Sequence, residues 1–495
     1  MRRSRILRSS LAALPIGLVL AAAALPIAFL LSRFGAVGPR IDASSLVQTL
    51  GFAAGGAVVA TVVGGGAGML GGTLALPGAR WLLAASCVLI AAPPAFWWLG
   101  ATRVSVVSWG ALSGPAGGAL VAGTALSPIP MLLVYAALRE LPSNLYEAAR
   151  AALPPVRRFT YVLIPLLRAP LVGAFLLSMI MLLGESEIPF LFGFRTVMTD
   201  IVTLFAQTFD VRQVIPLVAP LLLVVLGLGA VAARPLLRTV LASSRGAQGV
   251  IRRPSPALLT VLALAPAAAA CFSLGGYALA VLPGPVLGWP GPQLQPSSVL
   301  ASVAEPVVCA WSTVLIVVVA AYGVRSSAAM RWALWAGLLL FCVPGAIHGI
   351  GWIGVSQAFG GLDIPPGLAH ASRVIGLPLL GFAIAYSRLP RSLEDAARLV
   401  PISPMRRCCV FILPLLAPSL VAAAALVAAL VFADRDVPSI LLAPGASRLM
   451  LDLYLVSANA PSARVGAAAL VVLAGATLTV ALAAAGPLLL WRRRA

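Results

Sequence analysis

Two polar segments of this chain repeat the same order of residue types, 248 positions apart. Residues 141–150 read Leu-Pro-Ser-Asn-Leu-Tyr-Glu-Ala-Ala-Arg, and residues 389–398 read Leu-Pro-Arg-Ser-Leu-Glu-Asp-Ala-Ala-Arg. A carboxylate can form a charge-assisted hydrogen bond with an arginine or lysine of another protein, and small alanines let a second surface approach closely. These repeated segments (141–150 and 389–398) therefore predict two equivalent protein-docking elements.

The candidate docking residues are the acids, the alanine pairs and the arginines of the repeated segments. They are Glu147, Ala148, Ala149, Arg150, Glu394, Asp395, Ala396, Ala397 and Arg398. Pro142 followed by serine and asparagine predicts a helix start, and Pro154 predicts its end. A second short basic helix is expected to follow and to end near Pro165. The second copy predicts the same arrangement, with a break at Pro401.

Two pairs of acids form a second repeat, at an offset of 249 residues. Residues 185–189 read Glu-Ser-Glu-Ile-Pro, and residues 434–438 read Asp-Arg-Asp-Val-Pro. The four carboxylates of these acidic pairs are Glu185, Glu187, Asp434 and Asp436. Charges at membrane depth are costly and often line a substrate path, which favours a mouth that attracts cations. The alternative is a pair of surface loops in which Arg435 neutralises its neighbours, and the sequence leaves both open.

Composition indicates that these segments belong to a membrane protein. The chain is 61% hydrophobic and 10% charged, against roughly 25% charged residues in soluble domains. Apolar runs of the roughly 20 residues that span a bilayer recur along the whole length. The expected fold is an all-α polytopic membrane protein with about twelve transmembrane helices. The predicted spans are 11–32, 46–76, 81–101, 115–138, 166–184, 214–233, 257–282, 300–322, 332–356, 372–387, 415–433 and 465–490.

The net charge of +20 comes from arginine alone, because the chain contains no lysine. Most arginines fall in alternate loops, as the positive-inside rule predicts for a chain with both termini in the cytoplasm. No basic stripe with interleaved aromatic residues lies outside the spans, so membrane lipid, not nucleic acid, is the expected surrounding. The run from Leu11 to Leu31 is longer than a typical signal-peptide core and predicts an uncleaved first span.

The polar, basic stretch 234–256 is the expected linker between two halves, residues 1–245 and residues 246–495. Each half is predicted to contain six spans in the same orientation. Such halves are parallel repeats, related by an axis along the membrane normal.

The repeated segments resemble the EAA motif of the membrane subunits of bacterial ABC importers, in which Glu-Ala-Ala precedes a glycine and an Ile-x-Leu-Pro-like ending. A single chain with two such segments is similar to the fused permeases of the iron(III)-type and thiamine-type importers. The resemblance covers most of the chain, is most specific over residues 388–490, and is weak before residue 115.

The resemblance implies a permease of the bacterial cytoplasmic membrane that has no cofactor and catalyses no reaction. Its repeated segments would be coupling helices that dock into clefts of separate ATP-binding subunits. A periplasmic or lipoprotein binding protein would deliver iron(III), thiamine or another small cation. Without lysine the chain cannot form a standard P-loop, so ATP hydrolysis would belong to the partner.

Three departures from the motif predict docking of unequal geometry. The motif glycine is Leu153 in the first copy and Pro401 in the second. The second copy has Asp395 in place of glutamate, with Glu394 beside it, and the first copy is one residue shorter.

Other functions have weaker support. A twelve-span secondary transporter would need embedded coupling charges, for which Glu305 is the main candidate. An intramembrane enzyme would need a clustered nucleophile, base or metal set. His348, in a predicted span, and His370, in a predicted outer loop, have no third ligand near them in sequence, so no metal site is expected. The glycine patterns beginning at Gly66 and Gly349 lie in apolar runs and indicate close helix packing, not dinucleotide binding.

Overall fold

The computed structural model describes residues 2–33, 41–75, 90, 113–139, 143–242, 253–254, 296–324, 328–443, 445–459 and 462–492. The described part is almost entirely helical. One two-residue parallel pair, β1 (Leu74–Ala75) with β2 (Arg253–Pro254), joins the end of the second helix to the middle of the chain. The expected all-α class is therefore confirmed.

The first half contains ten described helices. In chain order they are α1 (Arg2–Ser32), α2 (Ala43–Thr73), α3 (Gly114–Leu126), α4 (Pro128–Arg139), α5 (Ser143–Ala152), α6 (Pro155–Arg158), α7 (Ile164–Leu183), α8 (Glu187–Phe192), α9 (Val197–Thr208) and α10 (Val211–Ala242). A π-helical turn, Phe159–Leu163, joins α6 to α7.

The second half contains eleven described helices. They are α11 (Pro296–Ala321), α12 (Ala328–Cys342), α13 (Gly345–Ala358), α14 (Pro366–Val374), α15 (Gly376–Ser387), α16 (Arg391–Leu399), α17 (Pro404–Arg407), α18 (Leu413–Ala433), α19 (Asp436–Leu441), α20 (Leu449–Asn459) and α21 (Ser462–Arg492). Another π-helical turn, Cys408–Ile412, joins α17 to α18.

From the repeated segments onward, the described elements of the two halves recur in the same order. Three pairs match residue for residue at an offset of 249: α6 with α17, the two π-helical turns with each other, and α8 with α19. The predicted domain boundary at residue 245 lies outside the described residues. The first part of the predicted linker is not a linker, because α10 continues through it to Ala242.

Two side-chain hydrogen bonds also recur between the halves. The Val197 N–H donates to the Thr49 hydroxyl at 2.9 Å, which ties the start of α9 to α2. The Leu449 N–H donates to the Ser302 hydroxyl at 2.9 Å and ties the start of α20 to α11. All four residues are buried, so each bond satisfies an otherwise unpaired N–H at a helix start.

Within the described residues, seven helical stretches are long and apolar enough to cross a membrane, and two bent helix pairs bring the number to nine at most. The seven are 13–32, 43–72, 160–183, 211–237, 296–324, 366–387 and 408–433. The predicted count of twelve is therefore not reached. The predicted spans 81–101 and 257–282 lie outside the described residues, and 465–490 contributes only a shorter apolar stretch, 471–485.

The prediction of one continuous span at 332–356 is wrong. Helices α12 and α13 meet at 99° across a break at Val343 and Pro344. Pro344 has ψ of 142°, an extended conformation that cannot continue a helix. The pair α3 and α4 is bent by 44° at Ser127, directly before Pro128.

The expected short basic helix is present as α6, but the helical chain does not end near Pro165. The chain runs from α6 through the π-helical turn directly into α7, with Pro165 in the first turn of α7. Pro165 thus lies directly after the π-helical turn, which is the irregularity that accompanies the proline in this helical stretch. Pro414 occupies the same place in α18.

The main hydrophobic core contains helices of both halves, which pack along a shared seam. The expectation that the glycine patterns serve packing is confirmed. A Cβ atom at Gly68 of α2 would lie 2.5 Å from the Met131 carbonyl oxygen of α4, and one at Gly351 would lie 2.8 Å from the Pro26 carbonyl oxygen of α1. Gly66 faces open space.

Gly68→Ala is expected to lower the free energy of unfolding by about 1–3 kcal/mol, because α4 must move away from α2 to admit the methyl group. Gly66→Ala, two residues away on the same helix, is the matched control and should be neutral or slightly stabilising. Thermal unfolding of both variants in detergent measures the difference. Equal stability of the two variants would show that the packing of α2 on α4 is not this close.

Candidate functional site

The repeated segments form short amphipathic helices at one end of the bundle. Helix α5 contains the first and α16 contains the second. Glu147 and Ala148 are exposed in α5, as are Asp395 and Ala396 in α16. The following alanine of each pattern, Ala149 and Ala397, is buried, with 9% and 5% of its surface exposed. The side chains of Arg150, Glu394 and Arg398 lie outside the part described.

The acidic pairs lie at the far ends of the long helices α7 and α18, which follow the repeated segments. Helix α7 runs from the first repeated segment towards Glu185, and α18 runs from the second towards Asp434. Twenty helical residues in α7 correspond to about 30 Å. The candidate docking surface and the acidic pairs are thus separated by about the thickness of a bilayer core.

The acidic pairs surround a polar cavity of about 170 Å³ on the seam between the halves. All four predicted substrate-path acids line it. Its other described charged or ionisable lining residues are Cys342, His370, Arg373 and Arg435. Sequence reasoning identified the acids from their repetition but gave no signal for His370 or Arg373, which come from α14.

The first acid of each pair stabilises the helix that follows it. Glu185 Oε1 accepts hydrogen bonds from the N–H groups of Glu187 at 2.8 Å and Ile188 at 3.3 Å. Asp434 Oδ1 accepts from the N–H groups of Asp436 at 3.0 Å and of the next residue at 3.3 Å. A carboxylate at a helix start satisfies unpaired N–H groups and suits the helix dipole. Glu185 and Asp434 therefore have a structural role besides lining the cavity.

The second acid of each pair lies near the guanidinium group of Arg435. Arg435 donates a hydrogen bond to the Ser186 hydroxyl at 3.0 Å and lies 3.6 Å from Glu187 and 3.5 Å from Asp436. Its Cζ atom is 4.2 Å from the centre of the Tyr454 ring. Arg435 thus contacts the acids, as one of the two sequence-based alternatives expected, and the mouth that attracts cations stays a prediction.

Three of these carboxyl groups are protonated more readily than usual. Burial raises the pKa of Glu187, and nearby Asp436 adds to the rise while Arg435 opposes it. Burial and the charge of Glu187 raise the pKa of Glu185. Burial raises the pKa of Asp436 to about 6, against the opposing effect of Arg435. At these three carboxyl groups the effect of burial therefore outweighs that of the nearby guanidinium group.

A second charged cluster lies beside the cavity within the second half. Glu305 of α11 pairs with Arg448 at 2.7 Å and lies 3.2 Å from Nδ1 of His370. His370 Nε2 is 3.8 Å from Asp434, which also pairs with Arg373. The expectation that His370 lies in an outer loop is wrong, because it is buried in α14. Long-range contacts between distant helices, not sequence spacing, bring this cluster together.

His348 is also buried and serves a structural role. Its Nε2 atom is 2.7 Å from the Ser372 hydroxyl, which also accepts a hydrogen bond from the Trp352 indole at 3.0 Å. These contacts tie α13 to α14.

A second, apolar cavity of about 180 Å³ continues from the polar one along the seam. The two cavities share Leu177 and Met181 of α7, Phe341 and Cys342 of α12, and Leu430 of α18. The described lining of the second cavity is entirely apolar, which disfavours an ion or a water column there. The polar cavity thus adjoins an apolar one, and both are lined by helices of the two halves.

Within the described residues, no group of three or more histidine, cysteine or acidic side chains is arranged to hold a metal ion. No protein-family model matches the sequence, and no curated protein or solved structure is significantly similar to the chain. The function of this chain must therefore be inferred from its own sequence pattern and geometry.

Glu305→Gln is expected to lower the free energy of unfolding by about 2–4 kcal/mol, because it leaves Arg448 largely buried without its anionic partner. Asp363→Asn, which changes an exposed acid in the same half, is the matched control and should have little effect. Unfolding of both variants in detergent gives the comparison. If Glu305→Gln lowered the free energy of unfolding by no more than Asp363→Asn does, the Glu305–Arg448 pair would contribute nothing to stability.

Asp436→Asn should change how stability depends on pH. Between its ordinary pKa and about 6, folded Asp436 holds a proton that the unfolded chain has released. Its contribution therefore disfavours folding increasingly as pH rises through this range. The unfolding midpoint of Asp436→Asn, minus that of the wild type, should rise between pH 4 and pH 7. A difference that stays constant with pH would contradict the raised pKa.

Proposed function

We propose that this chain is the transmembrane permease subunit of a bacterial ABC importer. It forms the path for a small cationic solute and couples that path to separate ATPase subunits. The observation that carries the proposal is the recurrence of one exposed acid-alanine pair, in matching short helices, at one end of a bundle with a polar cavity at the other.

The exposure pattern of α5 and α16 supports docking. In both, the acid and the first alanine face outwards while the second alanine packs against the bundle. Each helix connects through a short helix and a π-helical turn to a long apolar helix, α7 or α18. A partner that moves α5 or α16 would therefore move a helix that lines both cavities.

The two cavities support a substrate path along the seam. The polar cavity is smaller than the roughly 300–1,000 Å³ typical of drug-sized sites, which suits a small solute. Its described lining has four carboxyl groups and only two guanidinium groups. A cation entering it would stabilise the ionised acids, which favours cationic solutes such as the iron(III) or thiamine of the permeases that the sequence resembles.

The remaining topology is part of the proposal. The complete chain would have about twelve spans in two parallel halves, 1–245 and 246–495, with both termini in the cytoplasm of a bacterial cell. A periplasmic or lipoprotein binding protein would deliver the solute to the end that carries the acidic pairs. Movement of the halves against each other would then open the apolar section.

The charged cluster around Glu305 favours a second candidate, a secondary transporter. Glu305, His370 and Asp434 are close together inside the bundle, as coupling groups would be. Such a transporter has no use for two exposed docking helices. Association with an ATPase therefore distinguishes an ABC importer from a secondary transporter.

The double change Glu147→Arg and Asp395→Arg should abolish association with an ATPase, because each reverses the charge of an exposed docking acid. Tagged chains purified from the native host, assayed for co-purified ATP hydrolysis, give the measurement. Asp363→Arg, an exposed acid outside the repeated segments, is the matched control and should retain the ATPase. Full ATPase recovery with the double variant would contradict the proposal.

The two single variants should differ in effect, because the docking helices are joined to the bundle differently. Two residues separate α5 from α6, whereas four separate α16 from α17. Equal loss of ATPase from Glu147→Arg and Asp395→Arg would argue that the two sites are equivalent.

A further inference from the structure

The surroundings of Arg435 have the composition of a receptor for an organic cation. The guanidinium group lies over the Tyr454 ring and between Glu187 and Asp436, with the Ser186 hydroxyl as its hydrogen-bond acceptor. An aromatic face combined with carboxylates is the usual protein environment for guanidinium and ammonium groups. Here the group that occupies it belongs to the chain itself.

The fit of Arg435 to this environment is loose. Its distances of 3.6 Å to Glu187 and 3.5 Å to Asp436 exceed those of a charge-assisted hydrogen bond, roughly 2.7–2.9 Å. Its Nη1 atom is buried and has no hydrogen-bond partner in the described part of the chain. The side chain is only 12% exposed, so water gives it little compensation. The guanidinium is attracted to the acids without being firmly bonded to them.

The repeat shows that the backbone of this turn does not require a charge at this position. Arg435 corresponds to Ser186 in the first half, and the helices that follow, α8 and α19, have matching bounds. The capping hydrogen bonds of Glu185 and Asp434 are the same on both sides. The same turn therefore forms with serine or with arginine, and the contribution of Arg435 is the cation that it places between the acids.

We propose that Arg435 fills a preformed site for a small organic monocation, such as an alkylguanidinium or alkylammonium ion, and that an entering cation displaces it. The site consists of Glu187, Asp436, Ser186 and Tyr454. The proposal deepens the substrate path of the proposed function, and rests on that function for the assignment of the polar cavity to the path.

The chemistry favours an organic monocation over a metal ion. No described group of three or more acidic, histidine or cysteine side chains is arranged to hold a metal. A ring face attracts a weakly hydrated organic cation, whereas a multivalent metal ion needs several oxygen or nitrogen ligands converging on one point. Displacement by an equally charged ion also leaves the charge of the site unchanged. A cation therefore enters only if it binds the acids and the ring more tightly than the Arg435 side chain does.

Binding of methylguanidinium to the full chain in lipid nanodiscs, measured by equilibrium dialysis, tests the proposal. Arg435→Ser copies the residue of the first half and empties the site, so it should bind methylguanidinium saturably. The wild type and Arg435→Lys keep a tethered cation and should bind at least about tenfold more weakly. Arg435→Ser combined with Glu187→Gln should lose most of the gain, because one carboxylate is neutralised.

Binding by Arg435→Ser no tighter than by the wild type would overturn the proposal, as would a gain that survives Glu187→Gln unchanged. If Arg435→Ser does not fold in buffer, purification in millimolar methylguanidinium decides the matter: recovery of folded protein supports the site, and continued misfolding overturns it. No ATPase is present in these measurements. Their failure is therefore distinguishable from failure of the proposed function, which the ATPase association tests separately.

Discussion

The architecture depends on how charged groups are accommodated at the seam between two apolar half-bundles. Arg435 of the second half reaches Ser186 and Glu187 of the first, inside a structure whose other seam contacts are largely apolar. An isolated charge in such surroundings would cost several kcal/mol, so the ionised acids need a cation beside them. For the same reason, a change of charge at the seam would change the stability of the contact between the two halves.

The rest of the bundle fixes the position of these charges. Glu185 and Asp434 cap the helices that carry the second acids, and Thr49 and Ser302 fix the starts of the helices that come after them. Glycines such as Gly68 let helices approach until backbone touches backbone, which leaves little freedom for the charged ends to move separately. At the opposite end, the repeated segments form α5 and α16, which lead through a short helix and a π-helical turn into α7 and α18. These two long helices therefore connect the candidate docking helices to the acidic pairs.

Much of this could be predicted from the sequence, because it depends on local pattern. Apolar runs predicted the helical class, and the repeated acids identified four residues that do line one cavity. The helix starts in the repeated segments followed from Pro142 and its polar neighbours. Glycines in apolar runs correctly indicated close packing.

The features that could not be predicted depend on contacts between distant residues or on the tolerance of proline in context. His370 lies close to Glu305 and Asp434 only because distant parts of the chain pack together. The spacing of these residues in the sequence does not predict that contact. Pro344 breaks an apolar run that hydropathy alone treats as continuous, whereas Pro165, directly after a π-helical turn, lies within a helical stretch that continues past it. Hydropathy measures the apolar length of a segment, and the bend at Pro344 leaves that length unchanged.

Sidedness is the most direct test of the central claim that the repeated segments share one membrane face, opposite the polar cavity. Ala148→Cys, Ala396→Cys and Asp363→Cys, each exposed, would be placed singly in a background with Cys409→Ser, since Cys409 is itself exposed. A membrane-impermeant thiol reagent is then applied to inside-out and to right-side-out vesicles. Asp363 directly precedes the helical stretch 366–387, which leads to the second repeated segment, so it lies at the opposite end of that stretch. The account predicts labelling of the first two only in inside-out vesicles and of the third only in right-side-out vesicles. Labelling of Ala148→Cys and Ala396→Cys from opposite sides would contradict it.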